Sequence, residues 1–204
     1  MDSESTTLSN ILTAAKKEFL EKGYQKASLR NIVKQAGVTT GAFYGYFKNK
    51  EELFDALAGE HYRAAMALYQ EILGSFHQLS PEEQAGSMED YSELGMRRMA
   101  DYMYANYDAF KLILCCSDGT PYNGLVHELA QMDVEATHDF AEVTRQEGMP
   151  LNPINPTLEH MLTSGMFATF FELIVHDIPR EEAETYIHQM LSFYSGGWQR
   201  ILGY

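Results

Sequence analysis

Within the first 50 residues, Thr39-Thr40-Gly41-Ala42 is a run of small or hydroxylated side chains, followed at short intervals by Tyr44, Tyr46, Lys48 and Lys50. A helix that enters the major groove needs small or polar residues at its N-terminal end, so that its backbone can approach the base edges. Thr hydroxyls can bond bases or phosphates, and Ala42 or a Thr methyl can touch a thymine methyl. The two tyrosines lie outside the apolar pair Phe43 and Phe47 and can extend phenol groups to phosphates. Lys48 and Lys50 stand at the start of a further helix, where positive charge and free N–H groups also favour phosphate. Arg30 adds a basic group upstream. The chemistry on offer is recognition of a polyanion.

The elements that must hold these residues follow from hydrophobic spacing. Leu8, Ile11, Leu12, Ala15 and Phe19 share one helical face, and Gly23 can end that helix. Ser28 is placed to cap a short second helix with Leu29, Ile32, Val33 and Ala36 inward and Gly37 closing it. Thr39 or Thr40 caps a third helix over 41–47. The two short helices and their Gly-containing turn make a helix-turn-helix unit. Asn49 and Glu52 form a capping-box pattern that starts a fourth helix at Lys50, with Leu53, Leu57, Ala64, Leu68 and Ile72 inward. Ser80-Pro81-Glu82-Glu83 is another helix start. Helices are expected at roughly 88–106, 107–116, 122–147, 156–176 and 179–202, separated by turn residues. No alternating strand pattern appears, so the chain reads as all-α: a three-helix head over 1–50 and a larger helical body over 51–204.

Charge divides the same way. The formal net charge is −14, which taken alone argues against a nucleic-acid partner. Yet residues 1–50 hold eight basic residues against four acidic ones, so the acid excess lies wholly in the body. A basic head suits a polyanion, and an acidic body keeps the protein soluble and off non-specific DNA. No apolar run reaches the roughly 18 residues of a membrane span, and the first residues lack a signal-peptide pattern, so a cytoplasmic protein without a membrane partner is expected. The only cysteines, Cys115 and Cys116, are adjacent and define no disulfide framework; they fit a reducing compartment.

The stretch from Ser28 to Leu53, with its Ala-Gly-Val turn, the Thr-x-Gly-like start of the third helix, the Tyr-x-x-Phe pattern and the Lys-Glu-x-Leu opening of the next helix, resembles the DNA-binding head of the tetracycline-repressor (TetR/AcrR) family. The resemblance is close over about the first 55 residues and elsewhere extends only to length and helical character. Val33 and Tyr46 depart from the residues often found there. The resemblance implies Thr40, Gly41, Tyr44, Tyr46 and Lys50 as DNA-facing positions; Arg30, Thr39, Ala42 and Lys48 rest on helix geometry. It also implies a homodimer on a palindromic double-stranded operator and a small-molecule effector of unknown identity held in the body, with no cofactor.

Two apolar surfaces in the body are too broad for a single buried stripe. Leu158, Leu162, Gly165 and Thr169 on one helix and Ile187, Met190, Tyr194 and Trp198 on the last are expected to form a dimer interface. Met99, Tyr102, Met103, Tyr107, Cys115, Met132, Met166 and Phe170 are candidates to line an effector pocket, although such Met and aromatic stripes are more often plain core. Glu135, His138 and Asp139 could share a face, but without metal-ligand spacing they read as solvated surface, and no metal is expected. No phosphate-binding glycine loop, nucleophile elbow or zinc-protease motif occurs, so no catalytic residue is assigned. The alternatives from other classes are an all-α protein-binding adaptor and an enzyme on a helical scaffold.

Overall fold

The computed structural model describes residues 2–148 and 150–203. Among them there is no strand, and the helices run α1 (Asp2–Lys26), α2 (Leu29–Gln35), α3 (Thr40–Tyr44), α4 (Lys50–His77), α5 (Pro81–Ala105), α6 (Tyr107–Cys116), α7 (Leu125–Gln146), α8 (Pro156–Val175) and α9 (Arg180–Leu202), with a 3₁₀ turn at Pro121–Gly124. The all-α reading holds. The chain divides into two compact units, one of residues 1–64 with 106–125 and one of 65–105 with 126–204. The division falls inside α4, which continues unbroken past residue 50, and α6 packs on α1 within the first unit.

In the first unit, α1 breaks at Gly23, whose φ of 72° and ψ of 162° is a combination open essentially to glycine alone. Ile11, Ala14, Ala15 and Phe19 face inward and are buried. Glu18 shares that face and is only 2% exposed. Its carboxylate accepts from the Ser28 backbone N–H at 3.1 Å, Asn31 Nδ2 at 3.4 Å and Gln35 Nε2 at 3.3 Å. A charge taken out of water is tolerated only when hydrogen-bonded in this way. Ser28 occupies the N-cap position of α2 but makes no side-chain cap bond; Glu18 supplies the acceptor at that helix end, where negative charge is favoured.

Gly37, at φ 68°, turns the chain out of α2, and Val38 N–H bonds back to the Val33 carbonyl at 3.2 Å, the six-to-one bond of a glycine-terminated helix. Thr39, not Thr40, caps α3: its Oγ1 accepts from Ala42 N–H at 3.1 Å. The third helix is shorter than 41–47, covering one turn before Gly45 continues as a turn to the buried Phe47. Asn49 Oδ1 accepts from Glu52 N–H at 2.8 Å while Glu52 accepts from Lys48 N–H at 2.6 Å, so the capping pattern is real, shifted by one residue on the return bond.

The inward face of α4 is Leu53, Phe54, Ala58, Tyr62, Ala65, Tyr69 and Ile72. The expected Leu57, Ala64 and Leu68 are half-buried, because the larger rings of Phe54, Tyr62 and Tyr69 take the interior. In the second unit α5 starts at Pro81, where Ser80 and Glu83 form a reciprocal capping box, and runs without interruption instead of beginning near 88. Gly95 allows α5 to approach α4: a Cβ there would lie 2.9 Å from Ile72 Cγ2. Asn155 caps α8 by accepting from Thr157 and Leu158 N–H, with Pro156 at the first helical position.

Replacing Glu18 with Ala leaves three donors, at the start of and along α2, without their acceptor. It should cost about 3 kcal/mol, lowering the melting temperature by roughly 6–12 °C in thermal unfolding followed by circular dichroism.

Candidate nucleic-acid interface and body cavity

Phe43 turns inward from α3 at 1% exposure, which sets the opposite side of that turn toward solvent. Thr39, Thr40, Gly41 and Tyr44 are exposed, Tyr44 by 56%, while Ala42 and Tyr46 are half-buried. The Tyr44 ring rests edge-on against Phe43. Gly41 has ordinary helical backbone, and a Cβ there would find only Thr39 Oγ1, 4.0 Å away. Nothing within the chain requires glycine at this helical position, where it costs about 1 kcal/mol relative to Ala. The space it leaves faces outward. Arg30 and Lys34 on α2 are exposed beside it and join Thr39, Thr40 and Tyr44 around a shallow depression.

The two lysines differ. Lys48 projects into solvent, with only a 4.0 Å approach to Glu52. Lys50 folds back: its Nζ donates to the carbonyls of Tyr24 at 2.6 Å, Gln25 at 3.2 Å and Ala27 at 3.2 Å, and lies 4.4 Å from the centre of the Tyr24 ring. Burial lowers its pKa. The ammonium therefore neutralises the carbonyl-rich end of α1 beyond the Gly23 break, a role that spacing alone did not disclose. Lys50→Ala should lower the melting temperature by several degrees, whereas Lys48→Ala should leave the unfolding curve in place; parallel thermal melts distinguish the two.

The second unit encloses a cavity of about 410 Å³ between α4, α5, α7, α8 and α9. Its wall is aromatic: Tyr69, Phe76, Tyr91, Phe140, Tyr194 and Trp198. Of the sequence-expected effector residues, Met166 lines it. Met99, Met103 and Phe170 are buried, Met132 and Tyr102 half-buried, and none of these five borders the cavity; Tyr107 and Cys115 lie in the first unit. Cys115 is exposed, and burial pushes the neighbouring Cys116 thiol up. Tyr194 and Trp198, expected at a dimer interface, line the cavity. Ile187 and Met190 from the same group are buried within the chain itself. Tyr194 Oη meets Thr169 Oγ1 at 3.2 Å and stands 3.4 Å from where a Cβ on Gly165 would be, so those three residues join α8 to α9. Leu158 is exposed and Leu162 half-buried. The large apolar side chains left facing solvent on α8 and α9 are Leu158, Met161, Phe193 and Ile201, with Phe193 76% exposed.

Asp133 on α7 reaches the same cavity. It accepts a short hydrogen bond from the Tyr69 hydroxyl at Oδ1. Removal from water, joined by the smaller effect of the negative charge of Glu159, raises its pKa to about 6 against the lowering effect of the Tyr69 bond. Glu159, on α8, is 2% exposed and lies 2.9 Å from His138 Nε2. His138 thus pairs with a buried carboxylate outside the Glu135–Asp139 group considered for a metal.

A carboxyl whose folded pKa lies above its unfolded value near 4 holds its proton more tightly when folded. Its contribution to stability is present below about pH 4 and lost as the pH rises through 6. Asp133→Asn should therefore raise the melting temperature by a few degrees at pH 7.5 and change it little at pH 4, as scanning calorimetry across that range would show.

Residues 11–57 match the model of the bacterial regulatory proteins, tetR family. The chain is 45% identical over 51 residues to the Transposon Tn10 TetC protein of Escherichia coli, a match covering 25% of this chain and 26% of that protein. The similarity to that relative thus spans about a quarter of its length. Over most of the chain the fold is similar to that of the TetR family transcriptional regulator PfmR from Thermus thermophilus, with a TM-score of 0.58 at 17% identity, covering 90% of this chain and 96% of that one. It is also similar to the regulator FadR from Bacillus subtilis in complex with stearoyl-CoA, with a TM-score of 0.57 at 16% identity, covering 92% and 97%. Among the described residues no helix is long and apolar enough to cross a membrane.

Proposed function

We propose that the chain is a TetR/AcrR-family transcriptional regulator, a cytoplasmic repressor that binds a palindromic DNA operator as a homodimer and releases it when a small molecule enters the cavity of the second unit. The observation that carries the DNA-binding part is the outward face of α3: Thr39, Thr40, Gly41 and Tyr44 exposed on a turn whose inner side is fixed by Phe43. Side chains of that size let the helix backbone come close to base edges, and Thr40 and Tyr44 supply hydroxyls for bases and phosphates. Arg30, Lys34 and Lys48 add exposed positive charge around it.

The homodimer reading is supported by Leu158, Met161, Phe193 and Ile201, four large apolar side chains exposed on α8 and α9 that a second copy would cover. A two-fold dimer on a palindromic operator presents one α3 to each half-site, and such half-sites are about 34–36 Å apart. The release step is supported by the shared helix: α4 begins beside the recognition turn at Lys50 and supplies Tyr69, Ile72 and Phe76 to the cavity wall. An effector that binds the two positions of such a helix unequally, by a coupling of about 1–3 kcal/mol, changes operator affinity some 5–150-fold.

Gly41→Leu separates this reading from a structural role for α3. The side chain fits the open space within the free protein, so the melting temperature should be unchanged or slightly higher. Affinity for an operator selected from random duplexes, measured by fluorescence anisotropy, should fall at least a hundredfold. Unimpaired binding by Gly41→Leu would remove α3 from the interface.

A further inference from the structure

Taking the cavity of the second unit as the effector site, as proposed above, we infer that its effector is a lipophilic organic cation, with an apolar body against the aromatic wall and its positive charge beside Asp133. The charged residues among those lining the cavity are Asp133 and Glu89, both acidic. Among the described residues, no Lys, Arg or His borders it. Glu159 adds a third carboxylate acting on Asp133 from α8. The Tyr69 hydroxyl holds Asp133 at Oδ1, which orients the carboxylate without neutralising it.

Each class of ligand head meets a different cost here. The carboxylate of a fatty acid, or the phosphates of an acyl-coenzyme A, would have to leave water, approach two or three like charges and find no cationic partner in the wall. A neutral head would leave the half-buried Asp133 charge without a counter-ion. An ammonium head supplies that counter-charge at a half-buried carboxylate, where the attraction is stronger than at a fully exposed surface. Tyr69, Tyr91, Tyr194 and Trp198 present ring faces and edges to the same space, and such rings attract a cation as well as burying an alkyl or aryl body. The volume of about 410 Å³ falls within the range of pockets for drug-sized molecules. The B. subtilis neighbour is in complex with stearoyl-CoA, an anionic ligand; the wall chemistry of this chain selects the opposite charge.

The chain has a single tryptophan, Trp198, and it lines the cavity, so its fluorescence reports occupancy directly. Full-length protein would be titrated at pH 7.5 with three ligands that share a chain and differ in head charge: dodecyltrimethylammonium, dodecan-1-ol and dodecanoate, all below their micellar concentrations. The ammonium should quench or shift Trp198 with a dissociation constant at least tenfold below that of dodecanoate. In Asp133→Asn that preference should shrink to less than threefold while dodecan-1-ol binding persists. Tighter or equal binding of dodecanoate to the native protein would overturn the cation assignment and leave the cavity as an effector site. Silence from all three ligands would overturn both. The native-protein comparison needs no variant, and retention of the preference in a folded Asp133→Asn protein would also count against the proposal.

Discussion

A charged side chain on the inner face of the first helix governs the geometry of everything that α3 presents to solvent. Glu18 lies one position from Phe19 on the buried side of α1, and a carboxylate there would be a liability without donors. It gets three, from the Ser28 N–H and the amides of Asn31 and Gln35, all at the start of or along α2. Because those bonds are directional, they fix the rotation of α2 about its axis as well as its distance from α1. The Gly37 turn and the Thr39 cap then leave α3 little choice of direction, and Phe43 anchors it. A one-turn helix has no stability of its own; it exists here because its surroundings specify it.

A second polar device completes the unit. Lys50 closes the carbonyl end of α1 from the first residue of α4, so both ends of the α1–α2 corner are held by opposite charges drawn from elsewhere in the chain. The positive balance of the first 50 residues is therefore not all available to a polyanion. Lys50 is committed internally. The exposed cations near α3 are Arg30, Lys34 and Lys48. In the second unit the logic is reversed: Asp133 is left with a tyrosine in place of a cation, and the resulting charge imbalance sits at the wall of the cavity.

Helical periodicity and cap residues make much of this legible in the sequence. Asn49 and Glu52, Ser80 and Glu83, and Pro156 after Asn155 mark helix starts because each leaves a local signature of donors and acceptors a few residues apart. What spacing alone missed depends on contacts distant in sequence. Glu18 stands at a core position, seven residues after Ile11, and its charge there was the available sign of a buried network. Tyr69, Phe76 and Asp133 escaped notice as cavity residues because the cavity forms only where five helices meet, and periodicity identifies a buried face without saying whether the space beyond it is filled. Tyr194 and Trp198 illustrate the same limit: both belong to the wide apolar face of α9, which packs inward on one side and leaves Phe193 outward on the other.

The exposed face of α3, held by the Glu18 network, is proposed to sit in the major groove. Methylation interference on a duplex selected by the protein reads that placement, since methyl groups on guanine N7 project into the groove. Such methyl groups should block binding in two clusters about one helical turn apart, and Gly41→Leu should abolish recognition at both. Interference confined to minor-groove positions, or binding indifferent to base methylation throughout, would contradict it.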